Sequence, residues 1–170
     1  MRRPLGVFED IIRDQDDFEF QLGDTLDIKT SIVLVVITFL ATQSADFLKG
    51  TPILSPFWSR AQILSILCLI IAGMLALYEL LPKKYMVRMP PDQFLKWVED
   101  LSDFYKEEAD PIAKIDSAIN DVEIERIKAR FAQNSSINAL KSRLLVGSFY
   151  FSLTALVINL FTLLSVSLAS

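Results

Sequence analysis

Residues Leu144–Ala169 read LLVGSFYFSLTALVINLFTLLSVSLA and contain no charged side chain. As a helix, at ~1.5 Å per residue, the stretch would run roughly 39 Å, enough to cross a bilayer core with some tilt. It predicts a transmembrane helix, and the rest of the chain is placed against it.

Two further apolar blocks lie upstream. Ser31–Ala45, between Lys29 and Asp46, is short for a span. The helix can extend at both ends, because Lys29 can snorkel and Phe47 and Leu48 continue the apolar character. Ala61–Tyr78 is bounded by Arg60 and Glu79, with Pro82 beyond as a stop. The connecting loop Lys49–Ser59, KGTPILSPFWS, carries the helix breakers Gly50, Pro52 and Pro56. Phe57 and Trp58 within it suit a membrane interface. Hydrophobic residues make up 52% of the 170-residue chain and are bunched into these blocks. The pattern is that of a single-domain integral membrane protein.

The remainder is charged and amphipathic. In residues 1–29, Phe8, Ile11 or Ile12, Phe18 and Leu22 recur at near-helical spacing among acids, which predicts an amphipathic helix. Its many carboxylates favour packing over binding to anionic lipid. The pair Arg2–Arg3 is not followed by a signal-peptide apolar region. Between Lys83 and Arg143 two helices are expected. One starts at Pro90–Pro91–Asp92 and carries Phe94, Val98, Leu101 and Tyr105. The other follows Asp110–Pro111 and carries Ile112, Ile115, Ile119 and Val122, re-phased onto Ile124, Ile127 and Phe131. The expected fold is all-α, with an N-terminal amphipathic helix (1–29), a two-span hairpin (30–81), a helical hairpin (82–143) and a third span (144–170).

Basic residues set the orientation. Arg2, Arg3, Arg13 and Lys29 precede the first block, eleven Lys and Arg lie between Lys83 and Arg143, and the short loop has only Lys49 and Arg60. The excess places the N-terminus and 82–143 in the cytoplasm and the C-terminus outside.

The composition narrows the chemistry. There is no histidine, so His-based acid–base catalysis and His-ligated metals are excluded. The single cysteine, Cys68, lies in an apolar block and reads as a small buried hydrophobe. Glycines are isolated, with no phosphate-cradling loop, and the acids of Glu99–Asp110 and Asp116–Glu125 read as solvated helix faces. No catalytic residue, cofactor or metal site is expected, and the net charge of −4 offers nothing to a nucleic acid polymer.

Each block carries a stripe of small or polar residues at a period near 3.5. Block three has Ser148, Ser152, Ala155, Asn159 and Thr162. Block one has Ser31, Thr38, Thr42 and Ala45, and block two Ala61, Ser65, Cys68, Ala72 and Ala76. Two readings stand: helix packing, within or between subunits, and a face lining a water-filled pore in an oligomer. Asn159 must face protein or water, since its carboxamide would be unsatisfied in lipid.

The lead-in to block one has Asp27, Lys29, Thr30 and Ser31, LLPKKY (Leu80–Tyr85) follows block two, and Asn134–Arg143, with Asn138 and Lys141, leads into block three. These motifs, in this order, resemble the entry to the first span, the exit from the second and the lead into the third in the Pycsar effector transmembrane family and the related SLATT proteins, where alanine often stands at the place of Thr30. The resemblance implies a homo-oligomeric effector of the bacterial inner membrane, acting in anti-phage defence by pore formation or membrane disruption. A cyclic nucleotide would trigger it, with Lys83, Lys84, Arg88, Arg126 and Arg130 as the cations for an anionic ligand. The alternative is a non-conducting scaffold whose cytoplasmic helices dock a soluble partner protein.

Overall fold

The computed structural model describes the backbone of residues 4–50 and 56–169, and the side chains of 11–49 and 57–168. Arg2, Arg3, the side chain of Phe8 and the loop breaker Pro52 fall outside these. The fold is all-helical: α1 (Pro4–Gly50), α2 (Pro56–Leu80), α3 (Pro91–Phe104) and α4 (Pro111–Ala169).

The helix ends follow the prolines. Proline fixes φ and lacks an N–H, so it suits the first helical position and ends a helix that precedes it. Pro56, Pro91 and Pro111 open α2, α3 and α4, and Pro82 stands just past α2. At the start of α4, Asp110 Oδ1 accepts the Ala113 N–H at 3.3 Å, satisfying one of the free donors of the first turn. Neither Lys29–Thr30 nor Arg143–Leu144 carries a breaker, so the helix passes straight through both. The amphipathic N-terminal stretch and the first span are one 47-residue helix, and the third span is the last part of a 59-residue one.

The chain forms two compact units. One comprises Leu22–Pro82 and Asn138–Ser170. Its core holds Ile37, Leu40, Cys68, Leu69, Ala72, Ala76 and Ala155, with the three alanines fully buried. Small residues let helices approach closely: a Cβ on Gly147 would meet Leu75 Cδ1 at 3.3 Å. Outside, large apolar side chains are exposed on every helix, among them Val35, Phe39, Leu67, Met74, Phe149 and Leu160. So broad an apolar exterior, over a core that also buries polar side chains such as Gln62 and Asn159, suits hydrocarbon rather than water. Three helices (within Ile11–Lys49, Phe57–Leu80 and Pro111–Leu168) are long and apolar enough to cross a membrane. The chain is a multi-pass membrane protein.

The other unit comprises Met1–Gln21 and Lys83–Ile137. Its parts are the start of α1, the stretch leading into α3, α3 itself and the first part of α4. Among its described residues, Ile127 is a buried apolar side chain. Ion pairs hold it together: Arg130 grips Asp16, with Nη2 2.7 Å from Oδ2 and Nε 3.1 Å from the same oxygen, and both side chains are largely buried. Arg13 pairs with Glu123 at 3.2 Å, and Arg88 with Asp17. The Asn134 carboxamide accepts the Met86 N–H at 3.0 Å and donates to the Met86 carbonyl at 3.3 Å, tying a non-helical stretch to α4.

Candidate functional site

The interior of the membrane unit is polar at both ends. At one end, Ser44 of α1, Ser65 of α2 and Asn159 of α4 meet, all buried. Asn159 Nδ2 donates to Ser44 Oγ at 2.9 Å, and Ser44 Oγ lies 3.1 Å from Asn159 Oδ1. The Ser65 hydroxyl lies 3.2 Å from Asn159 Oδ1 and 3.3 Å from the Ala155 carbonyl. One turn before Ser65, Gln62 is fully buried, and neither its amide nitrogen nor its oxygen has a hydrogen-bond partner.

At the other end each helix supplies one charge. Lys141 of α4 pairs with Asp27 of α1, and its Nζ lies 4.0 Å from Glu79 Oε1 of α2. Glu79 is fully buried, with both carboxylate oxygens lacking a hydrogen bond, and Thr30 is buried beside it. A carboxylate out of water is tolerated when a cation is close, and Lys141 is that cation.

The residues singled out in the sequence sort onto different faces. Ser148, Ser152, Asn159 and Thr162 are all buried inside the unit. Ser148 donates to the Ala72 carbonyl of α2 at 2.9 Å. Ser152 and Thr162 bond carbonyls one turn back in their own helix. Thr38 and Thr42 are exposed, and their hydroxyls bond Leu34 O and Thr38 O at 2.9 and 3.0 Å. The buried row of α1 is the neighbouring one: Thr30, Ile37, Leu40 and Ser44. Of the lead-in motif, Asp27 joins the charge cluster while Lys29 is exposed. Glu79, Gln62 and Ser44 were not among the sequence candidates.

The other unit contains a cavity of about 380 Å³. Arg88, Arg126 and Arg130 line it together with Arg13, Phe94 and Trp97, and so do Asp17, Asp16 and Glu123, which pair with Arg88, Arg130 and Arg13 in turn. Arg126 sits 5.6 Å from the Trp97 ring centre, and its Nη1 contacts Met89 Sδ at 3.2 Å, a weak acceptor. Lys83 and Lys84 are not part of this lining; the Lys84 carbonyl accepts from Gln133 Nε2 at 2.7 Å. Guanidinium groups beside aromatic rings suit a ligand with an anionic group and a flat ring. Among the described residues, no group of three or more His, Cys, Asp or Glu side chains could hold a metal ion.

A protein-family profile described as the Pycsar effector protein domain matches residues 13–169. The chain belongs to this family. The match takes in all three apolar helices, the charge cluster and the arginine-lined cavity. Membership implies a membrane effector in anti-phage defence. No curated protein and no solved structure matches the chain.

Proposed function

We propose that this protein is a non-enzymatic, homo-oligomeric effector of the bacterial inner membrane, switched on by a cyclic nucleotide and acting by pore formation or disruption of the bilayer. Its N-terminus and residues 82–143 face the cytoplasm and its C-terminus lies outside. The observation that carries the reading is the family match over three helices long and apolar enough to cross a membrane, which bury Ser44, Gln62, Ser65 and Asn159 between them. A bundle that hides its polar groups beneath an apolar coat can rest in a bilayer without harm and has polar surface to offer when disturbed. For the trigger, Arg126 beside Trp97 offers a phosphate a cation and a base a stacking surface, while Arg88 and Arg130, paired with Asp17 and Asp16, would have to exchange those carboxylates for the ligand.

The test is co-expression in bacteria with cyclases that make different cyclic mononucleotides, followed with a membrane-potential dye. Depolarisation with one cyclase, and none with its inactive variant, is the expected result. A steady potential with every cyclase, alongside capture of a soluble protein by the cytoplasmic helices, would replace this reading with the scaffold.

A further inference from the structure

We propose that the polar route through the membrane runs along the internal axis of each three-helix unit, not between subunits, and that Ile37, Leu40 and Leu69 close it at rest. Water and small monovalent ions are the species it would pass. The inference rests on the effector reading above and adds where the path lies.

Two fully buried polar side chains, Glu79 and Gln62, mark the ends of this axis. Glu79 is compensated by Lys141, 4.0 Å away, whereas neither polar atom of the Gln62 carboxamide has a hydrogen-bond partner. An unmet carboxamide costs several kcal/mol in hydrocarbon, so a bundle built for packing alone would be steadier with leucine at position 62. Water reaching that end would satisfy it. Between them, the α4 hydroxyls of Ser148 and Ser152 continue the polar row toward Asn159. The row is interrupted where Ile37, Leu40 and Leu69 pack with Cys68 and Ala155. An apolar cluster packed between two polar ends excludes water until it loosens, and this is how hydrophobic constrictions gate.

The outer row of α1 differs. Its exposed hydroxyls, Ser31, Thr38 and Thr42, are satisfied by carbonyls of their own helix, and Val35, Val36 and Phe39 beside them are exposed apolar side chains. None of these three hydroxyls is left unmet as Gln62 is.

The test uses the full-length protein in vesicles of phosphatidylethanolamine and phosphatidylglycerol, reading potassium efflux without nucleotide. Leu40→Ser with Leu69→Ser puts hydroxyls on the axis; Val35→Ser with Phe39→Ser puts as many on the outside. Efflux about ten-fold above wild type is expected for the first pair, and within about two-fold for the second. Cys68, the sole cysteine, lies in the constriction. A cationic methanethiosulfonate should therefore slow the efflux of the first pair, and lose that effect once Cys68→Ala is added. If the double variant does not insert, Leu69→Thr alone makes the same test, with an expected rise of about three-fold. Equal efflux from the inner and outer variants, or efflux indifferent to Cys68 modification, would overturn the proposal. Nucleotide-triggered release from wild type together with that result would remove the internal route and leave the effector reading standing. A Cys68-sensitive leak in the inner variant, with wild type silent under every nucleotide, would do the reverse.

Discussion

Asn159 and Ser44, 115 positions apart in the chain, meet inside the membrane unit through the amide and hydroxyl of their side chains, at 2.9 and 3.1 Å. Ser65 closes the set from the second helix. One carboxamide thus ties all three spans. Asn159→Leu keeps the volume and removes these bonds. The expected loss is about 1–2 kcal/mol, because the two serines can turn to carbonyls of their own helices. Unfolding in mixed detergent and SDS measures it. Ser44→Ala should cost less, since Asn159 keeps Ser65.

Asp16 and Arg130 form a largely buried ion pair in the other unit, held by two guanidinium nitrogens. Removing either partner alone leaves a buried charge, so Arg130→Met should destabilise by about 3 kcal/mol. Asp16→Leu combined with Arg130→Met should recover most of that. Thermal unfolding of the two single variants and the double one gives the coupling directly.

The sequence made some of this architecture plain and hid the rest, for reasons visible in single residues. Spans announce themselves through runs without charge. Asn159 was legible because a carboxamide cannot satisfy itself within its helix, so its position fixes a face. Thr38 and Thr42 were not informative in that way. A hydroxyl bonds the carbonyl four residues back and is then content on any side, so the buried row of α1 proved to be Thr30, Ile37, Leu40 and Ser44. Glu79 read as the boundary of block two, because a charge beside an apolar run tells depth and not direction; the structure turns it inward to Lys141. Asp16 and Arg130 are 114 positions apart, and no local pattern pairs them.

Asn134 pairs with both the N–H and the carbonyl of Met86, doing for that stretch what a neighbouring strand would do. Asn134→Ala should leave the helices in place and free the segment. Amide exchange at Met86 is expected to rise about ten-fold, matching the loss of a bond worth about 1 kcal/mol or slightly more. Mass-resolved hydrogen exchange on residues 83–90 would show it, with the α4 peptides unchanged.

Arg126 over Trp97 is the feature of the cavity that suits a nucleotide. Arg126→Ala and Trp97→Ala should each weaken cyclic-nucleotide binding by about ten-fold, the loss of one charge-assisted bond or one stacking contact. Stability should change little, since Trp97 and Arg126 are only partly buried. In a Trp58→Phe background, Trp97 is the remaining tryptophan and its fluorescence reports binding to the Arg126→Ala variant, while titration calorimetry reads Trp97→Ala.

The most direct measurement is potassium and dye release from vesicles holding the purified protein, titrated with each cyclic mononucleotide. Release that requires one nucleotide and is lost in Arg126→Ala is the predicted result. Silence under every cyclic mononucleotide, from protein shown by protease protection to be correctly inserted, would contradict the account of a nucleotide-triggered membrane effector.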